Sequence, residues 1–146
     1  MNELEAVDIL LVEDSHTDAE MTIRVLKKHH LTNNLVWVQD GVEALDFVAR
    51  TGSYAGRSKG HPRLILLDIK MPRLNGIDVL RRLKSDEETK TIPVVILTSS
   101  AEERDLVDSY SLGVNSYLVK PVDFGNFVEV VSHAGLYWTM MNRAPT

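Results

Sequence analysis

The chain has 146 residues, a formal net charge of −5, and 44% hydrophobic against 25% charged residues, the profile of an ordinary globular protein with room for one core. An acidic balance leaves no basic surplus to neutralise phosphates, so nucleic acid is not expected as a partner. Cysteine is absent, which excludes disulfides, thiolate zinc sites and thiol catalysis; no apolar run approaches the ~18 residues that span a bilayer, and residues 1–6 lack a signal-peptide pattern, so a cytoplasmic protein with no membrane partner is expected.

The first predicted strand is Ile9–Val12, followed by helical spacing in Ala19, Ile23 and Leu26. The second is Leu35–Val38, followed by a helix whose Ala44, Leu45 and Val48 share a face, with Asp40 as its cap. A polar, basic loop at 51–63 is longer than usual for such a connection and is expected to be mobile or to contact something. The third strand, 64–67, precedes a helix carrying Ile77, Leu80 and Leu83. The fourth, 94–97, precedes a helix capped by Ser99 or Ser100, carrying Val107 and Tyr110, and ended by Gly113 in the left-handed position. A weaker fifth strand at 116–119 leads to a last helix, capped by Asp123, with Phe124, Phe127, Val128, Val131 and Trp138 on one side.

Short apolar runs without alternation suit strands buried on both faces. Strict strand–helix alternation implies an α/β domain with a parallel sheet between two helical layers. Five strands favour the flavodoxin-like doubly wound order 2-1-3-4-5, which binds ligands at the carboxyl ends of its strands. Tyr110, Phe124 and Phe127 are expected in the core. His16, His29, His30, His61 and His133 have no metal-like partners and are expected on the surface.

Those carboxyl ends carry Glu13 and Asp14, then Asp68, Thr98, and Lys120 followed by Pro121. In a parallel sheet all of them enter one crevice. Three carboxylates in close company repel one another unless a cation compensates, and Mg²⁺ takes oxygen ligands of this kind together with a phosphate. Lys120 adds a positive charge and Thr98 a hydroxyl donor, which suits a phosphoryl group; a carboxylate can serve as its nucleophile. Singly, each residue has a plainer reading. The acidic pair balances a helix macrodipole, Asp68 caps or turns the chain ahead of Pro72 and Asn75-Gly76, Thr98 caps the next helix, and Lys120-Pro121 is a strand exit. Their convergence on one crevice favours the joint reading.

Four motifs in this order and spacing, ILLVEDS at 9–15, LILLDIKMPRLNG at 64–76, PVVILTSS at 93–100 and GVNSYLVKPVD at 113–123, make the chain resemble the receiver domain of two-component response regulators. The resemblance covers about residues 8–138, so one receiver domain over 1–146 is expected, with 139–146 as a tail. It implies Asp68 as phosphoacceptor and a Mg²⁺ site made by Glu13, Asp14, Asp68 and the backbone carbonyl of Lys70. Thr98 and Lys120 would bind the phosphoryl oxygens, Tyr117 would change rotamer on activation, and the bond before Pro121 would be cis. The implied partner is a sensor histidine kinase; the chain would catalyse only its own phosphorylation and dephosphorylation, and output would pass through protein contacts on the face of the fourth helix, fifth strand and fifth helix.

A looser likeness, carried by the long loop, GVEALDF, IPVVILTSS and the aromatic tail, is to single-domain regulators paired with bacterial and cyanobacterial phytochrome kinases. Val130, Tyr137 and Met141 form a second apolar stripe on the last helix, which reads either as scattered surface residues or as a homodimer interface. Two rival classes differ in kind. A haloacid-dehalogenase-type phosphatase also uses a strand-end Asp and Mg²⁺, but needs a second acid where Lys70 stands, and a cap insertion. An inert interaction module would not need the full set of site residues.

Overall fold

Every residue of Ile9–Val12, Leu64–Asp68 and Val94–Thr98 is buried, as runs without alternation require when both faces of a strand are covered. The computed structural model describes residues 7–32, 34–57, 60–114, 116–133 and 135. In chain order the elements are β1 (Ile9–Val12), α1 (His16–Lys28), β2 (Leu35–Val38), α2 (Gly41–Ala49), a 3-10 turn (Gly52–Tyr54), β3 (Leu64–Asp68), α3 (Gly76–Ser85), β4 (Val94–Thr98), α4 (Ala101–Ser109), β5 (Tyr117–Val119) and α5 (Phe124–His133). The strands form one parallel sheet in the order β2-β1-β3-β4-β5, the flavodoxin-like arrangement expected from the alternation.

Successive residues of a strand serve opposite layers. Ile9 and Leu11 join Ala19 and Leu26 of α1 and Phe127 and Val131 of α5 in one apolar cluster. Leu10 and Val12 join Phe47 of α2, Leu80 of α3 and Val107 of α4 in the other. Helices α1 and α5 therefore cover one face of the sheet, and α2, α3 and α4 the second. The register pairs Ile9 with Leu35 and Leu64, Ile65 with Val94, and Ile96 with Tyr117, which brings all five carboxyl ends to one edge. Past the paired strands, the Glu13 N–H donates to the Val38 carbonyl at 3.1 Å, and the Lys120 N–H to the Thr98 carbonyl at 2.7 Å. Those two bonds carry Glu13 and Lys120 onto that edge.

Side-chain caps fix where the helices begin. Ser15, Asp40, Asn75 and Ser100 each accept the backbone N–H three residues on, and Asp123 accepts that of Asn126 at 3.0 Å, satisfying N–H groups with no partner inside the helix. The end of α4 departs from expectation. The helix stops at Ser109, and Ser111 takes the left-handed conformation at φ 53°, two residues before Gly113 at φ 80°. Tyr110 is consequently a C-cap residue at the edge of the layer, 45% exposed, rather than a core residue; the Arg81 guanidinium lies over its ring at 5.2 Å. Phe127 is buried and Phe124 half-buried.

Two other expectations are refined. His29 is half-buried, its ring stacked on Phe124 with centroids 3.5 Å apart, and His16 meets Trp37 edge-on. In its described part the 51–63 loop is anchored to α2. The Tyr54 hydroxyl donates to Glu43 at 2.7 Å, while Arg57 donates to the Phe47 carbonyl at 2.9 Å with its guanidinium over the Phe47 ring. Val130 is half-buried against the α1–α5 cluster; Tyr137, Trp138 and Met141 lie outside the described residues. Among the described residues no helix is long and apolar enough to cross a membrane.

Candidate functional site

The carboxyl edge of the sheet gathers the anticipated residues. Glu13 and Asp14 follow β1 directly and Asp68 ends β3; one carboxylate oxygen from each lies within 4.8 Å of the others. Glu13 and Asp68 are buried, while Asp14 is exposed at the mouth. The loop holding the acidic pair is clamped from both sides: the Trp37 indole N–H of β2 donates to the Glu13 carbonyl at 2.8 Å, and the Ser15 N–H donates to the Glu13 carboxylate at 3.3 Å.

Lys120 enters from the opposite side of β3. Its Nζ lies 3.2 Å from Asp68 Oδ1, 3.2 Å from Glu13 Oε1 and 3.0 Å from Asp18 Oδ2. The peptide bond to Pro121 is cis, as expected. Thr98, buried at the end of β4, neighbours Asp68 through the pairing of Asp68 with Leu97. An oxygen-only set of three carboxylates facing a fixed ammonium is donor chemistry that suits a hard divalent cation.

The charges are out of balance without such a cation. Burial, reinforced by the charge of Asp68, pushes the Glu13 carboxyl from its ordinary 4.5 up to about 7, against the pull of Lys120. Burial also raises Asp68, by more than Lys120 lowers it. For Lys120 burial opposes the charge, but the bond to Asp18 and the charges of Asp68 and Glu13 outweigh it, so its ammonium is held above its usual range. Burial disfavours each charged form, and like and opposite neighbours then add to or offset that shift.

Tyr117 sits apart from the carboxylates. Its hydroxyl donates to the Asp108 carboxylate on α4, and the Arg104 guanidinium lies over its ring at 4.5 Å. Burial and the bond to Asp108 push its phenol up to about 12. It also lines a cavity of about 460 Å³ with Lys84, Arg104 and His133, to which none of the strand-end carboxylates contributes. The Lys70 side chain is exposed, with its Nζ 3.5 Å from Glu103.

Three participants were not anticipated. Glu103 is buried although charged; it accepts the Ser99 N–H at 2.8 Å, while its own N–H donates to Ser100. The cap and the Glu three residues on are legible as Ser-x-x-Glu at 100–103, with the carboxylate reaching one residue further back, to Ser99. Asp18 stands in the first turn of α1 and meets Lys120 through the packing of the β5 exit against that turn. Trp37 carried no signal beyond being an aromatic in an edge strand.

Comparison with known proteins agrees with this geometry. The profile of the response regulator receiver domain matches residues 9–132. The probable methanogenesis regulatory protein FilR2 of Methanothrix harundinacea is 41% identical over 145 residues, 97% of this chain and 92% of that one. Response regulator Rcp1 of Synechocystis is 38% identical over 130 residues, 89% of this chain and 87% of that one; its Mn²⁺-bound crystal structure matches with a TM-score of 0.71 at 36% identity, over 96% of this chain and 99% of that one. The bacteriophytochrome response regulator AtBRR matches with a TM-score of 0.87 at 47% identity, over 91% of this chain and 95% of that one. A sheet that collects three carboxylates and a lysine at one edge, and relatives alike over nearly their whole length, place this chain in the response-regulator receiver domain family, as a two-component signalling protein.

Proposed function

We propose that Asp68 accepts a phosphoryl group from the phosphohistidine of a sensor kinase. The observation that carries this reading is the position of Asp68: buried, beside two further carboxylates, with Lys120 Nζ 3.2 Å from its Oδ1. An Asp68 oxygen forms the new bond to phosphorus as the bond from phosphorus to the histidine nitrogen breaks, and the electron pair stays on that nitrogen. Glu13, Asp14, Asp68 and the backbone carbonyl of Lys70 would hold the cation, Mg²⁺ in this reading. Bound there, it would neutralise charge on the phosphoryl oxygens. The divalent ion in the Rcp1 structure supports the class of cofactor.

Thr98 and Lys120 bind the added oxygens, whose charge of about −1.5 to −2 draws both inward. Tyr117 leaves Asp108 and follows Thr98, which changes the α4-β5-α5 face read by partners. Water attack on phosphorus returns the carboxylate and releases orthophosphate, so the chain's chemistry is confined to itself. The likeness to the bacteriophytochrome response regulator AtBRR supports a phytochrome kinase as donor. A homodimer through the C-terminal face, using Val130, Tyr137 and Met141, belongs to the same reading; the 62% exposure of Val119 on edge strand β5 supports a covered surface beside it.

Acetyl phosphate and Mg²⁺ test the site directly. Intact-mass spectrometry should show one added phosphoryl group on the wild-type chain and none on Asp68→Asn. Undiminished labelling of that variant sinks the assignment.

A further inference from the structure

Asp18 is outside the trio of carboxylates, yet it makes the shortest of the three contacts to Lys120: 3.0 Å, against 3.2 Å to Glu13 and 3.2 Å to Asp68. An ammonium group has three hydrogens to donate, and these three carboxylates occupy all of them. A phosphoryl group on Asp68 can gain a bond from Lys120 only if one of the present contacts is given up. Glu13 is buried and anchored by the Ser15 N–H. Asp18 approaches from the outer side, on α1, with its side chain 38% exposed. It flanks a small notch with Met21, Thr22, Lys120 and Pro121, none of which could replace its charge.

We propose that Asp18 is a positioning residue that holds Lys120 back from the phosphoryl site and so limits how tightly that site retains an added phosphoryl group. The inference rests on the function proposed above. Two effects act here, and they have the same sign. Asp18 competes for the ammonium that the phosphoryl oxygens need, and its own negative charge repels the charge added at Asp68. Removing the charge therefore tightens retention by either route. A residue that served only to keep Lys120 in place would give the opposite result.

The test uses the full chain with Mg²⁺ and beryllofluoride, a phosphoryl mimic, titrated by calorimetry. Asp18→Asn keeps the shape and an acceptor oxygen but loses the charge. It should bind the mimic about 1.5- to fivefold more tightly than wild type, the span expected for a partly exposed ion pair. Asp18→Ala should do the same, and Asp18→Glu should return towards wild type. The ¹⁵N resonance of the Lys120 ammonium should shift in the metal-free Asn variant. Equal or weaker binding by both folded neutral variants, beside normal binding by wild type, overturns the role of Asp18 alone. Failure of the folded wild-type chain to bind Mg²⁺ with beryllofluoride overturns the phosphoacceptor reading and this inference with it.

Discussion

The place that a Cβ of residue 76 would take lies 2.2 Å from the backbone carbonyl oxygen of Asp68, so the first turn of α3 rests directly on the end of β3. The neighbouring obstacles, the Asp68 carbonyl carbon at 3.0 Å and the Ile69 Cα at 2.8 Å, are also backbone. The Gly76 N–H meanwhile donates to the Ile69 carbonyl at 2.8 Å. Asp68 is thus held in place by a contact that only a residue without a side chain permits.

Gly76→Ala should therefore destabilise the fold, although alanine is the better helix former by about 1 kcal/mol at an unobstructed position. Backbone cannot swing aside as a side chain can, so the loss should reach about 3 kcal/mol, the upper end for overpacked sites. Urea unfolding measures it, and Mg²⁺-dependent labelling of the folded fraction should fall as Asp68 is displaced. An unchanged or raised midpoint means that α3 slides away from β3 more easily than this contact implies.

The strand ends were legible because their chemistry sits immediately after buried apolar runs. Glu13, Asp68, Thr98 and Lys120 each follow a stretch that reads as strand, and parallel topology puts such ends together. Asp18 was not legible in the same way. It stands in the first turn of a helix, where an acid is ordinarily explained by the macrodipole, and its partner lies 102 residues away in sequence. Only the packing of the β5 exit against α1 reveals the pair. Tyr110 failed for a local reason: it continues the periodicity of Val107, but the helix has already ended. His29 looked like a cation at a helix end, and nothing near it in sequence announces the Phe124 ring that covers it.

Glu13 should make the metal-free protein and its metal affinity respond to pH in opposite directions. Its carboxyl stands at about 7 in the fold against an ordinary 4.5, so between those values the folded chain keeps a proton that the unfolded chain releases. The associated stability is fully present below 4.5 and is lost as pH rises through about 7. Asp68 is raised as well and acts in the same sense. Asp40 has the opposite sign. Burial disfavours its charge, but the Glu43 N–H and Arg73 outweigh this and lower it from 3.8, so its contribution disappears only in stronger acid. The melting temperature of the metal-free protein should therefore fall from pH 5 to pH 8. Because a cation takes the deprotonated carboxylate, Mg²⁺ affinity should rise over the same interval, by up to about tenfold per pH unit below 7 for one displaced proton. Calorimetry in buffers of different ionisation enthalpy counts that proton. Constant affinity with no proton release contradicts the arrangement.

Tyr117 offers the last check, because its outward position is held by a bond that can be removed without touching the carboxylates. Its hydroxyl donates to Asp108, and burial together with that bond places its phenol at about 12. If activation draws the ring inward behind Thr98, the Asp108 bond belongs to the resting state only and opposes the change. Asp108→Ala should release it and shift the resting equilibrium towards the inward state, since a ligand and a mutation act on the same pair of populations. A net hydrogen bond of about 1 kcal/mol corresponds to roughly a fivefold gain in beryllofluoride affinity. Arg104 remains over the ring in this variant, which keeps the gain modest. Ultraviolet titration gives an independent control, because loss of the bond must lower the phenol from about 12. A lowered phenol value with unchanged mimic affinity would show that the bond was broken and that Tyr117 is not coupled to Asp68.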